Sequence, residues 1–285
     1  MIAPALGVVV GLVLGGLLWV LVEPSIDVPA LRRANHRGVE LTTAAGVVVP
    51  LTLVLVAALL RFLQQAAAWQ PTWDQLVGPS VTAALGFGLF GLVDDVAGVG
   101  ESGGFRHHVR TLLNGRITTG MLKLVGGAAV ALLTSAALSL SDGGLVGMLR
   151  DAAVVALAAN GVNLFDRRAG RSLKMVLVGF VAMVLWSRSP SLTGPAVGVG
   201  AGLALLPSEL RERSMLGDTG ANALGALLGL SALAAFPGPG SRWVLLVGLL
   251  ALNLGSEFVS YSRVIEAVPP LRFLDRLGRS ADDAG

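Results

Sequence analysis

The sequence predicts an all-α integral membrane protein, and three features of its composition support this fold class. Apolar residues make up 54% of the 285 residues, whereas charged residues make up only 14%, well below the roughly 25% of soluble domains. Mean hydropathy is +0.75. The chain has no cysteine, which excludes disulfides, thiolate nucleophiles and cysteine-ligated metals. A soluble domain and a disordered chain are therefore both excluded.

Nine apolar runs, bounded by charged residues or by Gly and Pro, are predicted to form membrane-spanning helices. In order, the runs cover residues 2–22, 43–60, 77–93, 121–141, 152–165, 175–187, 190–206, 219–236 and 243–260. The fifth and sixth runs are shorter than the roughly 20 apolar residues that a span needs. The sixth and seventh are separated because Arg188 is followed by Ser189 and Pro190, and proline after a charged residue predicts a turn.

The distribution of basic residues predicts the orientation of the chain. With the N-terminus outside, 17 of the 21 Lys and Arg residues lie in or next to the segments predicted to be cytoplasmic, with Lys123 counted at the start of the fourth run, as the positive-inside rule requires. These segments are about 23–42, 94–120, 166–174, 207–218 and 261–285. We therefore expect nine transmembrane helices with a cytoplasmic C-terminus, forming one polytopic domain over residues 1–285 in the inner, cytoplasmic membrane of the cell.

Three of the predicted helices bring carboxylates to the same predicted end. Asp94 and Asp95 end the third run, Asp166 ends the fifth, and Asp218 precedes the eighth. Carboxylates near the ends of membrane helices are costly and are usually paired, bound to metal or functional. The adjacent Asp94 and Asp95 would repel each other unless a cation lies nearby. Mg²⁺, Lys123 or an arginine would serve, and a solvated helix end is the simpler interpretation.

Two polar patterns extend this group. Asn160, Asn163 and Asp166 are three residues apart and share one helix face, which suits either a polar cleft or hydrogen bonds to a neighbouring helix. Asp218 lies in segment 217–220 before an apolar run, where it is either a helix cap or a metal ligand beside a helix N-terminus that faces an anion. The sequence has no Walker A, GxSxG or GxGxxG motif, so no soluble nucleotide-fold motif is present.

Four segments, taken together and in order, resemble the polyprenyl-phosphate N-acetylhexosamine-1-phosphate transferases. Members of this family are integral membrane enzymes that make the first lipid-linked sugar of cell-wall and other envelope polysaccharides. The segments are Asn35-His36-Arg37-Gly38 with residues 42–46, Gly91-Leu92-Val93-Asp94-Asp95 with Lys123 downstream, residues 160–166, and Gly217-Asp218-Thr219-Gly220 with residues 223–225. The resemblance covers about residues 30–260.

The resemblance implies an Mg²⁺- or Mn²⁺-dependent membrane phosphoglycosyl transferase. Its substrates would be a nucleotide sugar, expected to be UDP-linked, and polyprenyl (undecaprenyl) phosphate. The implied catalytic residues are Asp94, Asp95, Lys123 and Asp166; the metal ligands are Asp94, Asp95 and Asp218; the substrate-binding residues are Asn35, Arg37, Asn160, Asn163, Arg167 and Arg171. Membrane lipid is an expected partner, nucleic acid is not, and the small-residue-rich helix 219–236 would permit a homodimer.

The sequence departs from the family at three places. Thr42 stands where the family usually has proline, Ala169 stands where it has a second aspartate, and its histidine-rich cytoplasmic loop is absent. Ala169 and the absent histidine-rich loop favour an alternative, a non-catalytic homologue that binds, scaffolds or transports the lipid carrier. The retained Asp94, Asp95, Lys123 and Asp218 favour an enzyme. An ion-coupled transporter is disfavoured because the aspartates lie at helix ends, not at the membrane midplane.

Overall fold

The computed structural model describes residues 2–67, 76–97, 119–139 and 144–279, and helices make up most of these residues. The main helices are α1 (Ile2–Ile26), α2 (Val48–Ala67), α3 (Val77–Ala97), α4 (Thr119–Ser139), α5 (Gly144–Phe165), α6 (Arg171–Ser187), α7 (Thr193–Leu210), α8 (Gly217–Ala235) and α9 (Pro239–Gly255). Two short helices follow, α10 (Tyr261–Ala267) and α11 (Pro269–Arg276). An antiparallel hairpin joins β1 (Arg32–Ala34) to β2 (Glu40–Thr42). Within the predicted loop 94–120, residues 98–118 lie outside the described part of the chain.

In the described part of the chain, six helices are long and apolar enough to cross a membrane. They are α1 to α5 and α7, the last with the 3₁₀ turn Pro190–Leu192 before it. Helix α9 is apolar but shorter. The predicted all-α, multi-pass membrane protein is therefore confirmed, while the number of nine crossings stays a prediction, because α6, α8 and α9 are not among the six.

Helix α8 is the central helix of the bundle, since 16 of its 19 residues are buried. It packs between α3 and α5, and glycines allow the backbones to approach closely. A Cβ on Gly225 would lie 2.6 Å from the backbone of Ala159, and small residues at such positions let membrane helices pack tightly. The small residues of 219–236 thus pack within the chain, and the expected homodimer stays a prediction.

Helix α1 packs along α7 through a row of glycines, Gly7, Gly11 and Gly15. A Cβ on Gly15 would lie 2.7 Å from the Cα atom of Ala201. The row therefore brings the two backbones into direct contact, while the opposite side of α1 exposes apolar residues such as Leu17 and Val20. This is the arrangement expected of a helix at the edge of a membrane bundle.

Helix α5 is longer than the predicted run 152–165, because a charged pair lies within the helix. Arg150 Nε donates to Asp151 Oδ1 at 2.8 Å, and Arg242 Nη1 donates to Asp151 Oδ2 at 2.6 Å. All three side chains are buried, so Asp151 balances part of the positive charge of the two arginines inside the bundle. The prediction that Arg150 lies in a loop is therefore wrong. The predicted break between α6 and α7 is confirmed, and Arg188 there has a φ of 49°.

Hydrogen bonds bring the segments that were predicted to be cytoplasmic to one end of the bundle, which we call the site end. Arg33 of β1 donates to the backbone carbonyl of Asp95 at 2.6 Å and so ties the hairpin to the end of α3. Glu209 of α7 accepts hydrogen bonds from the backbone amides of Gly170 and Leu216, at 3.0 and 2.7 Å. One buried carboxylate thus joins the loop after α5 to the loop before α8.

Candidate functional site

Four side chains from four helices meet at the site end, and we call them the carboxylate cluster: Asp94 of α3, Lys123 of α4, Asn163 of α5 and Asp218 of α8. The Lys123 ammonium lies 3.4 Å from Asp94 Oδ2 and also contacts Asp218 Oδ2. The Asn163 amide, oriented to satisfy both neighbours, donates to Asp218 Oδ1 at 2.9 Å and accepts from Lys123 Nζ at 3.2 Å. Both carboxylates thus point at the same cationic atom.

Asp95 has a different environment from its neighbour Asp94, because it caps the start of α8 from another helix. Its Oδ1 accepts from the amide of Asp218 at 3.0 Å, and its Oδ2 accepts from the amide and hydroxyl of Thr219 at 3.0 and 2.6 Å. The first amides of a helix have no partner within the helix, and the residue before α8 supplies no side-chain cap. Asp95 therefore caps the first amides of α8. Of the three predicted metal ligands, Asp94 and Asp218 remain as the pair best placed to bind a cation.

Gly217 makes this contact between the two helices feasible. Its φ is +71°, a conformation that glycine adopts readily, and a Cβ there would lie 2.6 Å from Asp95 Oδ2. Asp218 accordingly has its predicted place at a helix start, but the capping carboxylate comes from α3.

The donor set of the carboxylate cluster fits a divalent cation. In the described part of the chain, no three Asp, Glu or His side chains lie close enough to form a metal site alone. Mg²⁺, however, commonly binds one or two carboxylates and completes its shell with water and substrate phosphates. Asp94 and Asp218 supply two carboxylates that already converge on a positive charge, so they are suited to hold Mg²⁺ or Mn²⁺ together with a phosphate ligand.

A cavity of about 360 Å³ lies at the site end and is lined by the hairpin, the loop after α5 and the loop before α8. We call it the hairpin cavity; its polar lining residues are Asn35, His36, Asp166, Arg167, Arg168, Glu209, Glu212 and Ser214. Among the described residues, Asn35 Nδ2 and Glu212 Oε1 are buried and have no hydrogen-bond partner. A buried polar atom without a partner is costly. The two atoms therefore suggest that a ligand completes this cavity.

Neighbouring groups hold the side chains of both Asn35 and Glu212 in place through their other polar atom. Asn35 Oδ1 accepts from the backbone amides of Arg37 and Val39, at 2.8 and 3.0 Å, which holds the turn of the hairpin. Glu212 has a φ of 49° and its Oε2 lies 3.4 Å from Arg37 Nη1. Strained backbone of this kind persists where the surroundings hold it, often at binding sites. Arg37 thus orients Glu212, which no sequence pattern indicated as a site residue.

Asp166 lies at the boundary of the hairpin cavity and not in the carboxylate cluster. Its Oδ1 accepts from the hydroxyl of Ser172 at 2.6 Å. Burial, together with the negative charge of Glu209, raises the pKa of Asp166 well above its usual value. The polar stripe along α5 is therefore divided: Asp166 reaches the cavity, whereas Asn163 reaches the cluster.

A second cavity, of about 550 Å³, lies among α3, α4, α5 and α8, and we call it the apolar groove. Its walls include Phe87, Phe90, Leu124, Ala128, Ala156 and Ala159, and its polar residues are Lys123, Asn160, Asn222 and Glu257. The side chain of Asn222 is 2% exposed and, within the described chain, its Nδ2 has no hydrogen-bond partner. Asn160 also lines the groove and donates to Asn253 Oδ1 at 2.7 Å. Lys123 belongs to both the groove and the carboxylate cluster.

Arg171 does not have its predicted role as a substrate-binding residue. Its guanidinium is buried and forms two hydrogen bonds with Asp275, at 2.7 and 3.0 Å, and a third with Ser262 at 2.8 Å. These contacts occupy the guanidinium nitrogens with which Arg171 would bind a phosphate. The partner Asp275 lies 104 residues away in the chain, so no local pattern in the sequence indicates it. Arg167, in contrast, lines the hairpin cavity as expected.

Comparison with known proteins gives no independent assignment. No protein-family model matches the sequence, and no curated protein matches it either. The family resemblance therefore rests on the four sequence segments, and function is inferred from the geometry of the site end.

Proposed function

We propose that the protein transfers a sugar-1-phosphate from a nucleotide diphospho-sugar to a polyprenyl phosphate, at the cytoplasmic face of a cell membrane. The observation that carries this proposal is that the site end contains the carboxylate cluster and two unlike cavities, one of which, the apolar groove, includes Lys123 of the cluster. One is polar and contains unpaired hydrogen-bonding atoms, and the other is an apolar groove among membrane helices. A reaction between a water-soluble anion and a lipid anion requires this combination.

The apolar groove is suited to the lipid acceptor. Its aromatic and aliphatic walls match an isoprenoid chain, since burial of apolar area is favourable and undemanding in geometry. Lys123 lies where the groove meets the carboxylate cluster, so a phosphate bound there would face a positive charge. The unpaired amide of Asn222 offers a donor to an oxygen of the same headgroup.

The hairpin cavity is suited to the nucleoside part of the donor. Asn35 Nδ2 is a hydrogen-bond donor and Glu212 Oε1 is an acceptor, and both lack partners in the described chain. A nucleobase such as uracil presents a carbonyl and an N–H side by side and would satisfy both. Arg167 and Arg168 line the same cavity and provide positive charge for phosphate oxygens. This arrangement would replace the histidine-rich loop that the sequence lacks.

The transfer would follow from positioning and charge compensation, which dominate phosphoryl transfer in general. An oxygen of the lipid phosphate attacks the sugar-bearing phosphorus, a new P–O bond forms, and the P–O bond to the nucleotide phosphate breaks. The products are polyprenyl-diphospho-sugar and nucleoside monophosphate. Asp94 and Asp218 would hold a divalent cation, which when bound supplies charge neutralisation at the pyrophosphate. Lys123 reduces repulsion between the two anions, and Asn163 orients Asp218.

General-base catalysis has a small part in this mechanism. A phosphate monoester has a second pKa near 6 and is largely ionised at neutral pH, so the acceptor needs no proton removed. Asp94 and Asp218 are thereby free to act as cation ligands, and Asp95 keeps α8 in place.

The predicted topology agrees with this proposal. Nine crossings with the N-terminus outside would put the site end in the cytoplasm, where nucleotide sugars are made, and the basic residues of the predicted loops favour that side. The site end also contains Arg33, Arg37, Arg167 and Arg168, which would face anionic headgroups and substrates.

The experiment that tests the proposal is an assay of the purified protein in lipid nanodiscs with polyprenyl phosphate, Mg²⁺ and a panel of nucleotide sugars. Release of nucleoside monophosphate is expected with at least one sugar, and it should require the lipid phosphate and disappear when a chelator is added. Asp218→Asn should reduce turnover to a few per cent or less, whereas the exposed Glu40→Gln should retain it.

Two results would count against the proposal. Full turnover by Asp218→Asn would remove the cation site from Asp218. Binding of polyprenyl phosphate without release of nucleotide from any sugar would favour the alternative, a non-catalytic protein that binds or transports the lipid carrier, which Ala169 and the absent histidine loop favour.

A further inference from the structure

Helix α11 exposes an apolar face that no described part of the chain covers. Phe273, Leu274 and Leu277 are 67%, 48% and 54% exposed. Helix geometry puts these three residues, with Leu271, on one side of the helix, while Arg272, Asp275 and Arg276 lie on the other. Monomeric proteins rarely expose large side chains in such groups without a partner.

The polar side of α11 is fixed to the ends of the membrane helices. Asp275 is held by Arg171, the first residue of α6, and Lys174 donates to the backbone carbonyl of Asp275 at 2.7 Å. Arg279 donates to the carbonyl of Ala169, in the loop between α5 and α6, at 3.0 Å. These contacts put α11 where α5 and α6 end, which is the depth of the lipid headgroups if these helices span the membrane.

We propose that α11 is an interfacial anchor that inserts Phe273, Leu274 and Leu277 into the headgroup region of the adjacent leaflet and prefers anionic phospholipid. Amphipathic helices with aromatic and aliphatic residues on one face and basic residues on the other bind membranes in this way. In segment 261–279, Arg276 and Arg279 pair with Glu266 and Asp275, while Arg263 and Arg272 are exposed. These two exposed arginines give the segment positive charge that complements an anionic surface. This anchor does not depend on the transferase activity.

A second copy of the chain is a poorer occupant for this face. Helix α11 has eight residues and is therefore about 12 Å long. A stable protein interface buries roughly 800 Å² on each partner, which so short a helix does not provide. Lipid, in contrast, would surround the bundle at this depth if α5 and α6 span the membrane.

The absence of cysteine makes a site-directed test straightforward. Phe273→Cys and Leu277→Cys, each carrying a nitroxide spin label, report on the apolar face, and Arg272→Cys is the matched control on the polar face of the same helix. Each full-length variant is reconstituted in nanodiscs with and without anionic phosphatidylglycerol. The accessibility of each label to oxygen, which partitions into lipid, is compared with that to a water-soluble nickel chelate.

The expected result is a several-fold higher ratio of oxygen to nickel accessibility at 273 and 277 than at 272, increasing further with anionic lipid. Equal ratios at all three positions would show that the face is in water and would overturn the proposal. Low accessibility to both reagents at 273 and 277 would identify a protein contact, which also overturns it. A ratio that ignores anionic lipid would overturn the preference for anionic headgroups. Two labelled positions on the apolar face guard against a local effect of one substitution.

Discussion

At the scale of single residues, two adjacent aspartates have different environments. Asp94 points to Lys123 and the carboxylate cluster, whereas both oxygens of Asp95 accept hydrogen bonds from the start of α8. The sequence predicts that both lie at one helix end, but it does not separate their roles, because successive residues of a helix point about 100° apart. Which of them meets α8 depends on how the helices pack. For the same reason the sequence did not indicate Asn222 or Glu212 as site residues.

Substitution of these two aspartates should therefore affect different properties. Asp95→Asn should mainly reduce stability, and Asp94→Asn should mainly reduce activity. Asp95→Asn replaces one acceptor oxygen by an NH₂ group that faces helix amides, so we expect it to lower the free energy of unfolding by about 1–3 kcal/mol. Asp94→Asn should leave thermal stability nearly unchanged and abolish transfer. Thermal unfolding of the purified variants followed by circular dichroism, combined with the nucleotide-release assay, measures both. A stable, active Asp95→Asn protein would show that the cap is not needed.

At the scale of secondary-structure elements, short segments at the site end hold the long helices in register. The hairpin closes the end of α3 through Arg33, Glu209 joins the loops that precede α6 and α8, and α11 is bound to α6 through Arg171 and Asp275. Hydropathy predicted most of the long helices well, because their apolar runs are continuous. It missed the start of α5, because Arg150 and Asp151 break the run while Asp151 is paired inside the bundle with Arg150 and with Arg242 from α9. Such compensation comes from residues distant in sequence.

The attachment of α11 should depend on pH in a defined direction. Burial opposes ionisation of Asp275, but hydrogen bonds from Arg171 and the charges of Arg279 and Arg171 outweigh it and keep the pKa of the Asp275 carboxyl below its usual value. A carboxyl with a lowered pKa stabilises the folded state above its unfolded pKa of about 3.9, and that contribution is lost as the pH falls through the lower folded pKa. Attachment should thus be constant from neutral pH to about pH 5 and weaken below about pH 4.

Hydrogen exchange of the α11 amides measures this attachment. Asp275→Asn should accelerate exchange across residues 269–276 at neutral pH, because Arg171 then loses its buried partner, while the amides of α8 should exchange as slowly as in the unmodified protein. Glu266→Gln is the matched control, since Glu266 lies in α10 and contacts Arg276 at an exposed position. Unchanged exchange in Asp275→Asn would mean that the apolar face, and not this ion pair, holds the helix.

At the scale of the whole molecule, the site depends on alternate helices ending on the same side. The ends of α3, α5 and α7 meet the starts of α4, α6 and α8 through Asp94 and Lys123, Asn163 and Asp218, and Glu209 with Gly170 and Leu216. Hydropathy and the distribution of arginines predict this alternation. The sequence therefore predicted that the distant carboxylates lie at one end of the bundle. The shapes of the hairpin cavity and the apolar groove were not predictable, because they depend on side chains from four or more segments.

This alternation predicts the accessibility of two exposed loop positions from opposite sides of the membrane. Arg188 follows α6 at the end opposite to the carboxylate cluster, whereas Val39 lies in the hairpin at the site end, and both are exposed. In spheroplasts, a membrane-impermeant maleimide should label Arg188→Cys and not Val39→Cys, and in inverted vesicles the pattern should reverse, since the cysteine-free chain has no background. Labelling of both positions from one side would exclude an odd number of crossings between them. Labelling of Val39→Cys alone in spheroplasts would put the carboxylate cluster outside the cell, where nucleotide sugars are not supplied, and would contradict the proposed reaction.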